Sequence, residues 1–117
     1  MRTATIERRV KELALSFPEA YEDEPWGFPV FKVGDNRMFA GMLVEDGVLA
    51  LTVKLTQEER ELAQLLPYVR RARYLGRYGW VTASVTDEES LANALEWLRE
   101  SYWLRAPAEH REAVERS

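Results

Sequence analysis

The sequence predicts an α+β domain, in which helices pack on one face of a mainly antiparallel sheet. Three observations lead to this prediction. Apolar residues recur at helical spacing near both ends of the chain, short alternating apolar runs lie between them, and turn residues separate those runs closely enough for hairpins. The resulting order of helix, three strands, helix, strand and helix is typical of a sheet with helices segregated to one side.

The first predicted helix covers residues 5–17. Its apolar residues fall on one stripe: Ile6, Val10, Leu13 and Phe17. Pro18 ends the helix, because the residue before a proline avoids helical dihedral angles. Residues 19–24 are predicted to follow as an acidic connector that contains Tyr21.

Three strands are predicted next, at residues 28–33, 37–45 and 48–54. Pro29 favours an edge position or a strand start for the first of them, since proline donates no ladder hydrogen bond. Asp46-Gly47 separates the second strand from the third. This dipeptide between two apolar runs is the strongest short-range hairpin signal in the sequence.

The second helix is predicted to begin at the capping box of residues 56–59 and to end at about residue 66, before Pro67. Residues 68–79 are predicted to be irregular, and residues 80–85 to form a fourth strand.

The longest helix is predicted to begin at a second capping box, Thr86-Asp-Glu-Glu89. Its buried stripe consists of Leu91, Ala94, Leu95, Leu98 and Tyr102. We therefore expect a single domain over residues 4–107, followed by a charged C-terminal tail over residues 108–117.

The composition excludes several kinds of catalytic site. The chain of 117 residues has no cysteine, so disulfides, thiolate nucleophiles and cysteine-bound metals are impossible. The single histidine, His110, lies in the charged tail, which gives no Ser-His-Asp arrangement. The acidic residues at 19–24 match no calcium loop, and the glycines at 76 and 79 are not part of a P-loop. No catalytic residue, metal site or cofactor is predicted.

The N-terminus carries charges every few residues and no apolar segment of a signal peptide. No stretch approaches the ~18 apolar residues of a membrane-spanning helix. A soluble, cytoplasmic protein without a membrane partner is expected.

The formal net charge of −4 opposes binding to phosphates, so a nucleic-acid site must depend on a local basic patch. Residues 68–80 form the one such segment, with four arginines, four aromatic residues and no acid. Arginine binds phosphate bidentately and aromatic rings stack on bases. The predicted DNA-contacting residues are Lys54, Arg70, Arg71, Arg73, Arg77, Tyr78 and Trp80, with Lys32 as a further cation that could extend the patch.

A structural interpretation of the same segment stays open. Tyr74, Tyr78 and Trp80 could pack on the sheet, while the arginines are solvated or pair with the acidic residues at 19–24.

The segment Trp26-Gly-Phe-Pro-Val-Phe-Lys-Val33 resembles the MmcQ/YjbR family. Further segments that carry the resemblance are Leu15-Ser-Phe-Pro-Glu19, Val53-Lys54 and Gly79-Trp80-Val81. The resemblance spans roughly residues 6–107, which is nearly the whole chain.

This resemblance implies a two-layer α/β sandwich similar to the CyaY (frataxin-like) fold. It also implies DNA binding, since the family is described as a double-wing DNA-binding family. The loop before the Gly-Trp position often carries Lys and His in the family, whereas here it reads Leu75-Gly-Arg77-Tyr-Gly79. A frataxin-like iron role would need an acidic first helix, and the first helix here mixes acids with Arg8, Arg9 and Lys11.

Two functions follow as hypotheses. The first is a non-enzymatic domain that binds DNA phosphates through its Arg/Tyr-rich loop. The second is a module that binds a protein or a small ligand through exposed aromatic residues, without nucleic acid. Trp97 and Trp103 lie outside the buried stripe of the last helix, so their exposure would favour a homodimer.

Overall fold

The structure is a computed structural model that describes residues 1–115, with side chains described as far as residue 111. Its helices are α1 (Thr3–Ser16), α2 (Gln57–Ala63), α3 (Glu88–Arg105) and α4 (Ala108–Glu115). Its strands are β1 (Ala20–Asp23), β2 (Val30–Val33), β3 (Arg37–Glu45), β4 (Val48–Lys54), β5 (Val69–Arg71) and β6 (Trp80–Val85). They form one sheet in the order β1-β2-β3-β4-β6-β5, and all neighbours are antiparallel.

Helices α1 and α3 cover one face of this sheet. Because side chains alternate along a strand, Leu49, Leu51 and Val53 of β4 all point to the helices and are buried. The stripe of α1 meets them with Ile6 and Val10. The prediction of an α+β sandwich with helices on one side of an antiparallel sheet is confirmed. The opposite side of the sheet, which we call the open face, carries the alternate residues.

Both edge strands were missed by the sequence analysis. The prediction of an acidic connector at residues 19–24 was wrong, because Ala20–Asp23 pairs with β2 as strand β1. The prediction of an irregular segment at residues 68–79 was wrong in part. Val69–Arg71 forms β5 on β6, and Gly76–Tyr78 forms a short 3-10 helix.

Helix α3 begins one residue later than predicted. Asp87 is its N-cap, and the capping box joins the side chain of Asp87 to Ser90 rather than Thr86 to Glu89. Near its C-terminus, the buried Ser101 hydroxyl donates to Phe39 O and accepts from Lys54 N at 2.8 Å. Ser101 therefore bridges β3 and β4 just beyond their last direct pair, Ala40 and Val53.

The C-terminal segment continues as helix α4, which packs on α3. Residues 116–117 of the predicted tail lie outside the described residues. The division into a domain at 4–107 and a tail at 108–117 stays a prediction. Within the part of the chain that is described, no helix has both the length and the apolar character needed to cross a bilayer.

Candidate nucleic-acid interface

The predicted cationic residues gather at the β5 edge of the sheet, but they do not share one face. Arg70 lies opposite Thr82 and Arg71 opposite Val81 on β6. Successive residues of a strand point to opposite faces, so the two side chains diverge. Arg70 lies on the open face, where its Nη1 donates to the Ser84 hydroxyl at 2.9 Å.

Arg71 extends over the loop that follows β5. A Cβ atom on Gly76 would lie 2.2 Å from Arg71 Cγ, so only a glycine permits this approach. Arg71 remains exposed in this position.

The loop between β5 and β6 displays both of its tyrosines. Tyr74 adopts a left-handed backbone conformation, with a φ of 68°, and is 85% exposed. Tyr78 is 56% exposed, and the guanidinium of Arg77 lies 4.9 Å from its ring centroid. Gly79 ends the 3-10 helix with a φ of 92°, which a glycine adopts without strain. The loop therefore presents cations and aromatic rings together.

None of these arginines has a carboxylate partner in the part of the chain whose side chains are described. Among the described residues, no carboxylate oxygen lies within 4.0 Å of the side-chain nitrogens of Lys54, Arg70, Arg71, Arg73 or Arg77. Of the two structural alternatives for the arginines, pairing with residues 19–24 is wrong and solvation remains, since all four arginines are exposed. Glu22 pairs with Lys11 at 3.6 Å, and Asp23 pairs with Lys32 at 2.8 Å.

Lys32 is not available to extend the patch. Its Nζ donates to Asp23 Oδ2 at 2.8 Å and to Asn36 Oδ1 at 2.6 Å, and the residue is only 8% exposed. The hydrogen bond from Lys32, followed by one from the backbone N–H of Glu24, lowers the pKa of the Asp23 carboxyl. Lys32 of β2 therefore joins β1 through the ion pair and the turn after β2 through its hydrogen bond to Asn36.

Trp80 cannot stack on a base, as its predicted role required, because it is only 4% exposed. The guanidinium of Arg105 lies 5.8 Å from the Trp80 ring centroid. Arg105 Nε donates a hydrogen bond to Met38 O at 2.8 Å. Burial lowers the pKa of Arg105, and the nearby charge of Arg37 adds to this effect. Here the structural interpretation holds for Trp80, whereas Tyr74 and Tyr78 are exposed.

Trp97 is too deeply buried to form part of a homodimer surface. It is 6% exposed and packs in the core, with its ring centroid 6.5 Å from that of Tyr68. Trp103 is half-buried beneath Arg111, whose guanidinium lies 5.2 Å from the ring centroid. Trp97 therefore lacks the exposure that would favour a homodimer, and the homodimer itself stays a prediction.

On β3, β4 and β6 the open face has a floor of small side chains, which is bordered by the larger Val30, Leu43 and Trp80 on the same face. This floor consists of Gly41, Ala50, Thr52, Thr82 and Ser84. The hydroxyls of Thr52 and Thr82 are hydrogen-bonded to each other at 2.8 Å, which fixes them on the same side. Lys54 lies on the same face by alternation, opposite Trp80.

Trp26 was not predicted as a site residue, although it is the most exposed tryptophan with a described side chain, at 66%. It stands at the tip of the turn before β2, where Gly27 has a φ of 87°. Its ring centroid lies 6.0 Å from that of Phe28, which in turn lies over Gly41 on the open face. The signal in the sequence was a large aromatic residue directly before a turn glycine.

No group of three or more histidine, cysteine or acidic residues is arranged to hold a metal ion within the described part of the chain.

The protein-family model named YjbR matches residues 15–104. The chain belongs to the YjbR family. The resemblance to MmcQ/YjbR proteins is thereby confirmed over most of the length for which it was stated. No curated protein matches this YjbR-family chain.

Solved structures share the fold. Deinococcus radiodurans protein DR2400, whose crystal structure has the domain DUF419, is 25% identical to this chain. The match covers 93% of this chain and 87% of that one, with a TM-score of 0.75. A protein from Pseudomonas syringae is 16% identical, with 90% and 98% of the two chains covered and a TM-score of 0.60. That second likeness concerns the fold alone.

Proposed function

We propose that this YjbR-family protein is a non-enzymatic DNA-binding domain, which contacts phosphates through the β5 edge of its sheet. The contacting residues are Arg70, Arg73 and Arg77, with Arg71 and Lys54 beside them. Tyr78 takes part by holding Arg77 against its ring, and the buried Trp80 has a structural role instead.

One observation carries the proposal: the arginines of residues 68–80 have no carboxylate partner among the described residues. The rest of the chain holds 12 of the 16 Lys and Arg residues and all 20 acids. A guanidinium with a carboxylate partner must give it up before binding a phosphate, whereas an unpaired guanidinium binds directly. An unpaired cluster therefore gives an otherwise anionic protein a place to bind DNA.

Fluorescence anisotropy with a labelled DNA duplex tests the proposal. We expect binding at about 50 mM salt that weakens steeply by about 200 mM, because each phosphate contact releases counterions. In the triple variant R70A/R73A/R77A, the slope of log K against log salt should become shallower by about 2 to 3.

The triple variant R2A/R8A/R9A is the matched control. It removes the same three charges from exposed positions at and near α1, on the other side of the sheet. A general effect of net charge would weaken binding equally in both variants. Equal losses, or no binding at low salt, would contradict the proposal.

Protein binding is the second candidate, because two large residues near the same edge contact solvent. Leu65 after α2 and Tyr74 in the loop after β5 are 80% and 85% exposed, and large apolar residues in contact with solvent are candidates for an interaction surface. Retention of a protein partner by the wild type but not by Y74A/L65A, together with no DNA binding, would favour this candidate.

A further inference from the structure

The open face of the sheet forms a trough beside the arginine edge. Its floor is made by the small residues of β4 and β6, namely Ala50, Thr52, Thr82 and Ser84, with Gly41 of β3. Phe28 lies over Gly41 on one side, and Trp26 lies against Phe28. Arg70 of β5 borders the other side, where its side chain is hydrogen-bonded to the Ser84 hydroxyl.

The width of the trough follows from the order of the strands. From β3, which lies beneath Phe28, to β5, which carries Arg70, there are three strand spacings. At ~4.8 Å for each spacing, the two walls stand ~14 Å apart. That width admits one extended polymer strand together with its side groups.

The two walls offer different chemistry. Arg70 and, at one end of the trough, Lys54 are cations without a carboxylate partner among the described residues. Trp26 presents a mostly exposed indole whose only described ring contact is Phe28. Thr52 and Thr82 supply hydroxyls, which both donate and accept hydrogen bonds. Unpaired cations complement phosphates, and an exposed indole complements the face of a base.

We infer that this trough binds single-stranded DNA, with phosphates on Arg70 and Lys54 and an unpaired base stacked on Trp26. The inference rests on the proposed function, because it shares Arg70 and Lys54 with it. The phosphates of a duplex can bind the arginines, but its bases cannot stack on the indole because they are already stacked on one another. The trough therefore selects single strands, and the arginine edge alone does not.

Tryptophan fluorescence tests the inference in the full chain. Trp80 and Trp97 are buried and Trp103 is half-buried, so a bound base quenches mainly Trp26. We expect oligo(dT) to quench the wild-type emission and W26F to lose that quenching. W103F makes the same change on α3 and should retain it. In anisotropy, W26A should weaken oligo(dT) binding by about tenfold and leave duplex binding unchanged.

The outcomes separate the inference from the proposed function. Duplex binding that depends on the arginines, with oligo(dT) affinity and emission unchanged by W26A and W26F, overturns the inference and leaves the proposed function standing. Absence of binding to either DNA overturns both. A dimer in sedimentation that W26A dissociates also overturns the inference, because a second copy of the chain would then cover the trough.

Discussion

The two edges of the sheet differ in whether their cationic side chains have carboxylate partners. At the β1 edge, Lys11 pairs with Glu22, and Lys32 pairs with Asp23 and Asn36. At the β5 edge, Arg70 and Arg73 have no carboxylate within 4.0 Å among the described residues.

This difference separates structural charges from charges that are available to a ligand. A lysine that is nearly buried and bonded to two oxygens stabilises the fold, and its positive charge is already matched. An exposed arginine without a partner contributes little to the free energy of unfolding, but its charge attracts an anion. The comparison therefore predicts that stability is sensitive to substitution at one edge and DNA binding at the other.

Replacement of Lys32 should give the largest effect on stability. We expect K32A to lower the free energy of unfolding by about 2 kcal/mol, because it removes a buried stem and leaves Asp23 and Asn36 without their donor. R73A should change it by less than about 0.5 kcal/mol. Chemical denaturation measures both.

K32M is the control for this comparison, because it keeps the buried stem and removes only the charge and its hydrogen bonds. A stability of K32A equal to that of the wild type, or a loss in R73A as large as in K32A, would break the contrast between the edges.

Substitution of Gly76 should have an intermediate effect. We expect G76A to destabilise the protein by about 1 kcal/mol, since the added methyl group meets the Arg71 side chain and forces it to move. In an R71A background the same substitution should cost nothing or stabilise slightly, because alanine restricts the unfolded chain. An equal cost of G76A in both backgrounds would show that Arg71 does not lie over the loop.

The pH dependence of the β1 edge should be the smallest effect. Hydrogen bonds from the Lys32 side chain and from the backbone N–H of Glu24 lower the pKa of the Asp23 carboxyl in the folded protein. Its contribution to stability is therefore present above the unfolded pKa of about 3.9 and is lost as the pH falls through the lower folded pKa. D23N should show a shallower decrease of Tm below about pH 4 than the wild type.

R73A provides the comparison at the other edge. It should keep the full wild-type decrease of Tm in acid, because no described carboxylate lies within 4.0 Å of Arg73. A D23N profile that follows the wild type throughout would mean that the ion pair at β1 contributes nothing to folding.

The central strands could be predicted from the sequence because their signals are local. The predicted bounds of β3, β4 and β6 coincide with those observed. Asp46 and Gly47 between β3 and β4 both have positive φ values, 52° and 77°, as a tight hairpin turn requires. Alternation of apolar residues and turn residues are both properties of neighbouring positions, so these strands can be predicted without tertiary information.

The edge strands could not be predicted in the same way. Ala20–Asp23 and Val69–Arg71 have four and three residues, and most of these are polar or charged. Too few apolar residues alternate in them to indicate a strand. Their conformation is set by hydrogen bonds to β2 and β6, which lie elsewhere in the chain.

The sequence alone determined the family resemblance, the core strands and the concentration of arginine in residues 68–80. The tertiary structure decided which aromatic residues remain exposed. Trp80 and Trp97 are buried and lie against Arg105 and Tyr68, which are distant in sequence, whereas Phe28 is the only ring in contact with Trp26 among the described residues. The physical reason is that exposure depends on what packs above a residue, and that is a property of distant segments rather than of local pattern.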